Sequence, residues 1–157
     1  MGVNTPAPGK RTTSSMAPTL ALLKNGDALV LGSPGGDTIP NTVTQTFLAL
    51  ALDNLSLEEV MARPRFHQPF APQDIGMERY SPLPPFIQAG LKKLGHEVTL
   101  ARYTQGDANI AARIKGVSFA VSDKREGGLA LAARPPVTTP PAVAAEPPAS
   151  SPPTLKN

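Results

Sequence analysis

Two short apolar runs, residues 20–23 and 28–31, open the patterned part of the chain, separated by Lys24-Asn25-Gly26-Asp27. Asn-Gly between apolar runs predicts a β-hairpin with a type I′ turn, because that turn needs positive φ at both central residues. Both runs are apolar almost throughout, which predicts strands covered on both faces. The second run passes directly into Gly32-Ser33-Pro34-Gly35-Gly36-Asp37. Residues 39–52 follow, with Val43, Phe47 and Leu50 at helical spacing and few charges. A strand, a tight glycine turn and a largely buried helix are therefore expected in that order. Ser56-Leu57-Glu58-Glu59 has the form of a capping box and predicts a short helix ending before Pro64. Residues 82–94 read as a third helix, stopped by Gly95 with Lys92 and Lys93 in its last turn. Strands are expected over 97–101, 111–114 and 117–121, with Lys115-Gly116 turning between the last two. A final strand is expected over 129–133, after Gly127-Gly128. Helices alternating with paired antiparallel strands predict a layered α/β (α+β) domain.

Composition changes this picture mainly at the C-terminus. Eight of the 19 prolines fall between Pro135 and Pro153, among Ala, Thr, Ser and Val. Such a stretch cannot bury enough apolar surface to offset its ordering entropy, so residues 135–157 are expected to be a disordered tail. Residues 1–7 are expected to be a disordered N-terminus, leaving one folded unit over about 8–134, as the length of 157 residues suggests. The absence of cysteine excludes a disulfide framework and thiolate chemistry. The net charge of +3 comes with neither a Lys/Arg run nor interleaved aromatics, so no nucleic-acid partner is expected. Residues 1–9 are Pro-rich and lack the apolar centre of a signal peptide, and no apolar run is long enough to span a bilayer. No structured lead-in precedes the first motif, which predicts a chain that starts in mid-domain.

Candidate chemistry gathers at two places. Gly35-Gly36, where a buried strand meets a helix, permits backbone conformations closed to other residues and a close ligand approach. The free N–H groups that open the following helix favour negative charge. The spacing misses both the dinucleotide fingerprint and the P-loop, so a phosphate site, an oxyanion hole and a plain tight turn all remain open. Ser14-Ser15, in Ser14-Ser15-Met16-Ala17-Pro18-Thr19, offers two hydroxyl donors to a carboxylate, with Lys10 and Arg11 nearby, or else forms a polar loop. His67 and His96 are too far apart for metal-ligand spacing, so no metal and no cofactor are expected. His67 reads as packed or capping, Glu58 and Glu59 as first-turn helix acids, and Asp123 as a structural residue at a strand end. Arg63 and Arg65, flanking a proline, are expected to pair at the surface.

Taken in order, these pieces resemble the gamma-glutamyltransferase (gamma-glutamyltranspeptidase) family. The resemblance runs through Gly9-Lys10-Arg11, Ser14-Ser15-Met16, Pro18-Thr19, the Asn25-Gly26 hairpin and Gly32-Ser33-Pro34-Gly35-Gly36. It continues through Pro64-Arg65-Phe66-His67, Leu94-Gly95-His96-Glu97-Val98, and Ser122-Asp123 ahead of Gly127-Gly128-Leu129-Ala130, and so covers about residues 7–133. The resemblance implies part of an αββα sandwich of N-terminal-nucleophile hydrolases with mostly antiparallel strands. It also implies a self-cleaving proenzyme whose new N-terminal threonine attacks the gamma-glutamyl amide of glutathione or another gamma-glutamyl donor. Water, an amino acid or a peptide then accepts the acyl group. By the same resemblance Ser14 and Ser15 bind the donor's alpha-carboxylate, and Gly35 and Gly36 supply the oxyanion-hole N–H groups.

The family's nucleophile sits in a Thr-Thr-His context several tens of residues before the double serine, whereas 13 residues precede Ser14 here. Thr12-Thr13 is followed by serine and lies inside the carboxylate-binding motif, and Thr5 is no better placed. The expectation is therefore a C-terminal part of the small subunit, inactive alone and completed by the large subunit and the rest of the small one. Lys124 stands where the family usually has proline, which reads as a surface change. The resemblance further implies a periplasmic or secreted location. The alternatives are a cephalosporin acylase-like amidohydrolase fragment and a non-catalytic binding or interaction remnant.

Overall fold

A computed structural model describes residues 4–53, 55–69 and 74–131. The expected tail, the first three residues and the last two residues of the expected last strand (132–133) lie outside the described residues.

The hairpin forms as β1 (Thr19–Leu22) and β2 (Ala28–Gly32), antiparallel with Leu22 opposite Ala28. Its turn differs from the expected type I′. Only Gly26 has positive φ (86°), and the Gly26 N–H donates to the Leu23 carbonyl at 3.0 Å. Three residues thus make the loop, with glycine in the left-handed position. Asn25 stays out of that region because its side chain accepts from the Asp27 N–H (3.1 Å) and donates to the Asp27 carboxylate (2.9 Å). The two-residue turn with positive φ at both positions lies instead at Lys115 (49°) and Gly116 (80°). It joins β6 (Asn109–Ile114) to β7 (Val117–Ser122).

Strands β1, β2, β6 and β7 form one antiparallel sheet in that spatial order. A short 3₁₀ turn (Gly36–Thr38) follows β2 and leads into α1 (Ile39–Leu52), with Pro40 in its first turn. Helix α1 buries Ile39, Thr42, Val43, Thr46, Ala49 and Leu50, the three- and four-residue spacing of one helical face. That face meets Leu29 and Leu31 of β2 and Ile110, Ala112 and Ile114 of β6, and α2 (Leu57–Ala62) adds Leu57, Val60 and Met61. Helix α2 carries the expected capping box in both directions: Ser56 Oγ accepts from the Glu59 N–H, and Glu59 accepts from the Ser56 N–H. Those bonds hold the Glu59 carboxyl below its ordinary range.

The sheet is covered on one face among the described residues, not on both. Leu20 (64% exposed) and Leu22 (75% exposed) of β1 and Val30 of β2 alternate outward from the core. Continuous apolarity here reflects two apolar faces, of which helices cover one.

A second sheet holds the strand expected over 97–101, as β5 (Val98–Leu100), with two strands the sequence does not signal, β3 (Phe66–His67) and β4 (Ile75–Met77). Strands β4 and β5 are parallel, and α3 (Pro85–Lys93) is the crossover such a pair requires. Helix α3 starts later than expected, at the Pro84-Pro85 pair. It ends as predicted: Gly95 has φ 89°, its N–H bonds the Lys92 carbonyl, and the His96 N–H bonds that of Leu91. Residues 129–131 of the expected last strand join neither sheet, and Leu129 and Leu131 are exposed. Among the described residues no helix is long and apolar enough to cross a membrane.

Candidate functional site

The glycine turn sits where β2 runs out of partners and α1 begins. Gly35 takes φ 138° and Gly36 φ 60°, both in the region that favours glycine. A Cβ on Gly35 would lie 2.5 Å from Thr38 Oγ1, so the turn leaves no room for a side chain there. Thr38 closes the turn, its N–H and its hydroxyl both donating to the Gly35 carbonyl at 3.1 and 2.9 Å. With the carbonyls thus directed into the turn and the helix start, neither the Gly35 nor the Gly36 N–H donates a hydrogen bond among the described residues.

The loop at Gln105-Gly106-Asp107, just before β6, braces the turn from behind. Gly106 Cα lies 3.5 Å from where a Gly35 Cβ would be, and Gly106 itself has φ 78°. A Cβ on Gly106 would meet Ser33 Oγ at 2.5 Å and Thr42 at 2.7 Å. Ser33 Oγ accepts from the Asp107 N–H (3.0 Å), and Thr42 donates to the Gln105 carbonyl (3.2 Å).

A buried ionic cluster holds that bracing loop in turn. Arg65, 2% exposed, donates to Asp123 at 2.6 Å and to the Gln105 carbonyl at 3.4 Å. Arg125 donates to Asp123 (3.0 Å), to both carboxylate oxygens of Glu78, and to the carbonyls of Met61 (2.6 Å) and Arg63 (2.8 Å). The Arg125 guanidinium also lies 4.8 Å from the centre of the Tyr80 ring. Burial alone would raise the Asp123 carboxyl, but the charge of Arg65 and the hydrogen bonds and charge of Arg125 outweigh it and hold the group below its ordinary value. Burial lowers Arg65, helped by the charge of Arg125. Burial also opposes the charge on Arg125, yet the bonds to Glu78 raise it overall.

The structure thus corrects one pairing. Arg63 does pair at the surface, with Asp53, whereas Arg65 turns inward to Asp123. Asp123 is structural, as expected, and fully buried. Arg65, Arg125, Glu78 and Gly106 were not read as supports of the site. Gly106 carries a turn-like context, but nothing in sequence spacing pairs Arg65 with a residue 58 positions away.

Ser14 and Ser15 lie on the exposed strap that leads into β1. Ser15 Oγ donates to the Gly36 carbonyl, so the fold brings the double serine and the double glycine together. Ser14 Oγ accepts from the Met16 N–H at 3.2 Å, which leaves its own O–H to be directed outward. Lys10 folds back onto the Thr5 carbonyl (2.9 Å) rather than toward the serines. His67 packs against α1, Nδ1 lying 3.2 Å from Asn41 Nδ2, and takes no part in the site. The arrangement sets hydroxyl donors beside two unengaged backbone N–H groups, a geometry suited to an anionic group on one side and developing oxyanion charge on the other.

A family model described as gamma-glutamyltranspeptidase matches residues 1–133. The chain is similar to a glutathione hydrolase proenzyme of Pseudomonas aeruginosa, 32% identical over 130 residues, covering 82% of the chain and 23% of that protein. It is also similar to an oxamate amidohydrolase proenzyme of Klebsiella pneumoniae, 29% identical, covering 79% of the chain and 25% of that protein. The chain thus spans about a quarter of the length of each of these two relatives. Among solved structures, a mutant gamma-glutamyltranspeptidase from Pseudomonas nitroreducens superposes with a TM-score of 0.77 at 29% identity, covering 86% of this chain and 70% of that one.

Proposed function

We propose, for a chain that belongs to the gamma-glutamyltranspeptidase family, that it carries the donor-anchoring and oxyanion loops of a gamma-glutamyl transfer and hydrolysis site. Ser14 and Ser15 donate to the alpha-carboxylate of glutathione or another gamma-glutamyl amide. Gly35 and Gly36 N–H groups hold the carbonyl oxygen as it gains charge. The nucleophile is a threonine outside these 157 residues, at the N-terminus of the small subunit, and the large subunit completes the enzyme. Its hydroxyl oxygen bonds the gamma-carbonyl carbon, the amide C–N bond breaks, and the hydroxyl proton leaves on the departing amine. Water, an amino acid or a peptide then takes the acyl group and returns a proton to the threonine oxygen. A periplasmic or secreted setting suits such an enzyme.

The observation that supports this reading most is the hydrogen bond from Ser15 to the Gly36 carbonyl, which joins two motifs 21 residues apart in one site. Because that bond occupies the Ser15 proton, Ser15 must turn toward an arriving carboxylate, whereas Ser14 need not. The test is calorimetry of the chain with L-glutamate. Binding abolished in Ser14→Ala/Ser15→Ala supports the reading, and unchanged binding overturns it. The chain alone releases no p-nitroaniline from gamma-glutamyl p-nitroanilide; turnover by a preparation of intact mass would refute the external nucleophile.

A second reading, an amidohydrolase acting on another amide, is favoured by the likeness to the oxamate amidohydrolase. There the same turn serves and the serines meet the carboxylate of oxamate itself, so oxamate would displace glutamate as the ligand.

A further inference from the structure

A cleft of about 520 Å³ borders the glycine turn, and neither Ser14 nor Ser15 lines it. One wall is Gly35, Asp37 and Thr38; the other is the segment 101–107, with Glu126 at the edge. The wall they share with the site is Gly35 itself, whose N–H is proposed above to hold the acyl oxygen. An acceptor that attacks the acyl carbon must come from a space bordering that turn and not filled by the glutamyl group. The serine strap touches the turn at Gly36, whereas this cleft borders it at Gly35 and is lined by neither serine.

Its charge is lopsided. Asp37, Asp107 and Glu126 line it against a single base, Arg102. Glu126 Oε1 is fixed by the Thr104 hydroxyl at 2.6 Å, which leaves its charge unpaired by any base. One further oxygen, on Gln105, deepens the negative potential. Gln105, 6% exposed, has its Oε1 buried without a hydrogen-bond partner, as is Oδ1 of Asp107. Buried acceptors seldom lack donors, and where they do a functional reason is called for. Burial, and after it the charge of Asp123, raises the Asp107 carboxyl, in keeping with an excess of negative charge there.

Resting on the transfer reading above, the geometry points to this cleft as the acceptor subsite, selecting amines that carry an additional positive charge over acidic ones. The ammonium of such an acceptor faces Asp37 and Glu126, Arg102 takes an acceptor carboxylate where there is one, and the exposed Tyr103 ring covers the aliphatic stem. The attacking amine is the neutral one. Its nitrogen bonds the acyl carbon, the ester bond to threonine breaks, and the amine proton passes to the threonine oxygen.

The test uses the enzyme assembled from this chain and the segment that supplies the threonine. Transfer from gamma-glutamyl p-nitroanilide is followed with lysinamide and with glutamate as acceptors. We expect kcat/KM to favour lysinamide by about ten-fold, a ratio set by the contrast between paired and like charges. The preference should shrink with added salt and collapse toward unity in Asp37→Asn/Glu126→Gln, whose two sites are exposed. Equal use of the two acceptors, or a preference that the double substitution leaves untouched, overturns the subsite while donor turnover still stands. Absence of p-nitroaniline release with or without acceptor instead sinks the transfer reading itself. A wild-type preference that ignores salt counts against the electrostatic origin even if the variant fails to fold.

Discussion

The glycine turn and the serine strap meet at one hydrogen bond, yet they are held by opposite means. The turn is braced by Gly106, Ser33 and Thr42, and behind them by a fully buried cluster of two arginines and two carboxylates. The strap is exposed, tied by its own short contacts and by the bond from Ser15. The difference follows from what each is proposed to do. Donors that stabilise charge developing in a transition state act best when they cannot reorganise, so the exposed turn that carries them is braced from the core. Hydroxyls that capture a free carboxylate need an approach from solvent and can turn to meet it.

Removing the turn's support should break the contrast most severely. Arg65→Met leaves Asp123 buried beside a weakened partner set, and such a loss costs roughly 3–5 kcal/mol. Chemical denaturation reads it, and a loss below 1 kcal/mol would mean that the cluster does not anchor the turn. Gly106→Ala comes next. A Cβ at 2.5 Å from Ser33 Oγ and a φ of 78° combine overpacking with backbone strain, together worth about 2–4 kcal/mol. Gly116→Ala, with nothing within 4 Å, is the control that isolates the φ cost.

Acid should act on the helix-packed side of the molecule, through Asp123 and the Glu59 of the capping box, rather than on the serine strap. The folded Asp123 carboxyl lies below its unfolded value, so its contribution is fully present above the unfolded carboxylate pKa of about 4 and is lost as pH falls through the lower folded value. Asp107, raised in the fold, has the opposite sign: its ionisation above about pH 4 costs stability, so Asp107→Asn should stabilise the chain at neutral pH. Melting curves from pH 2 to 7 on wild type and Asp123→Asn separate the two. If both lose stability in parallel below pH 4, another carboxylate governs the acid response. The smallest effect belongs to the strap: Ser14→Ala should change stability by no more than about 0.5 kcal/mol, while weakening glutamate binding. A large stability loss there would mean that the strap is part of the core after all.

Helix α1 and the capping box of α2 were legible because each is specified by neighbours in sequence: apolar spacing along one face, and Ser56 answering Glu59. The Schellman end of α3 was legible for the same reason. The hairpin turn was misassigned because Asn25 found Asp27 as a local partner, and its side-chain bonds decided the backbone. The second sheet was missed because β3 and β4 are two and three residues long, too short to show alternation. Pairing, not periodicity, makes them strands: β3 with β4, and β4 with β5 across α3. Arg65 was misplaced at the surface since an arginine beside a proline carries no mark of its partner. The roles proposed for Ser14, Ser15, Gly35 and Gly36 come from ordered motifs, which do not show that Ser15 and Gly36 meet.

Local chemistry along the chain determined where the turn, the caps and the buried helix would lie, because those depend on contacts within about four residues. Which loop backs Gly35, which face of the sheet is covered and where Arg65 places its charge were decided only by the tertiary structure. Those outcomes rest on pairs tens of residues apart, such as Arg65 with Asp123 and Thr42 with Gln105. Burial makes each pair worth forming, and burial exists only once the sheets and helices have closed on one another.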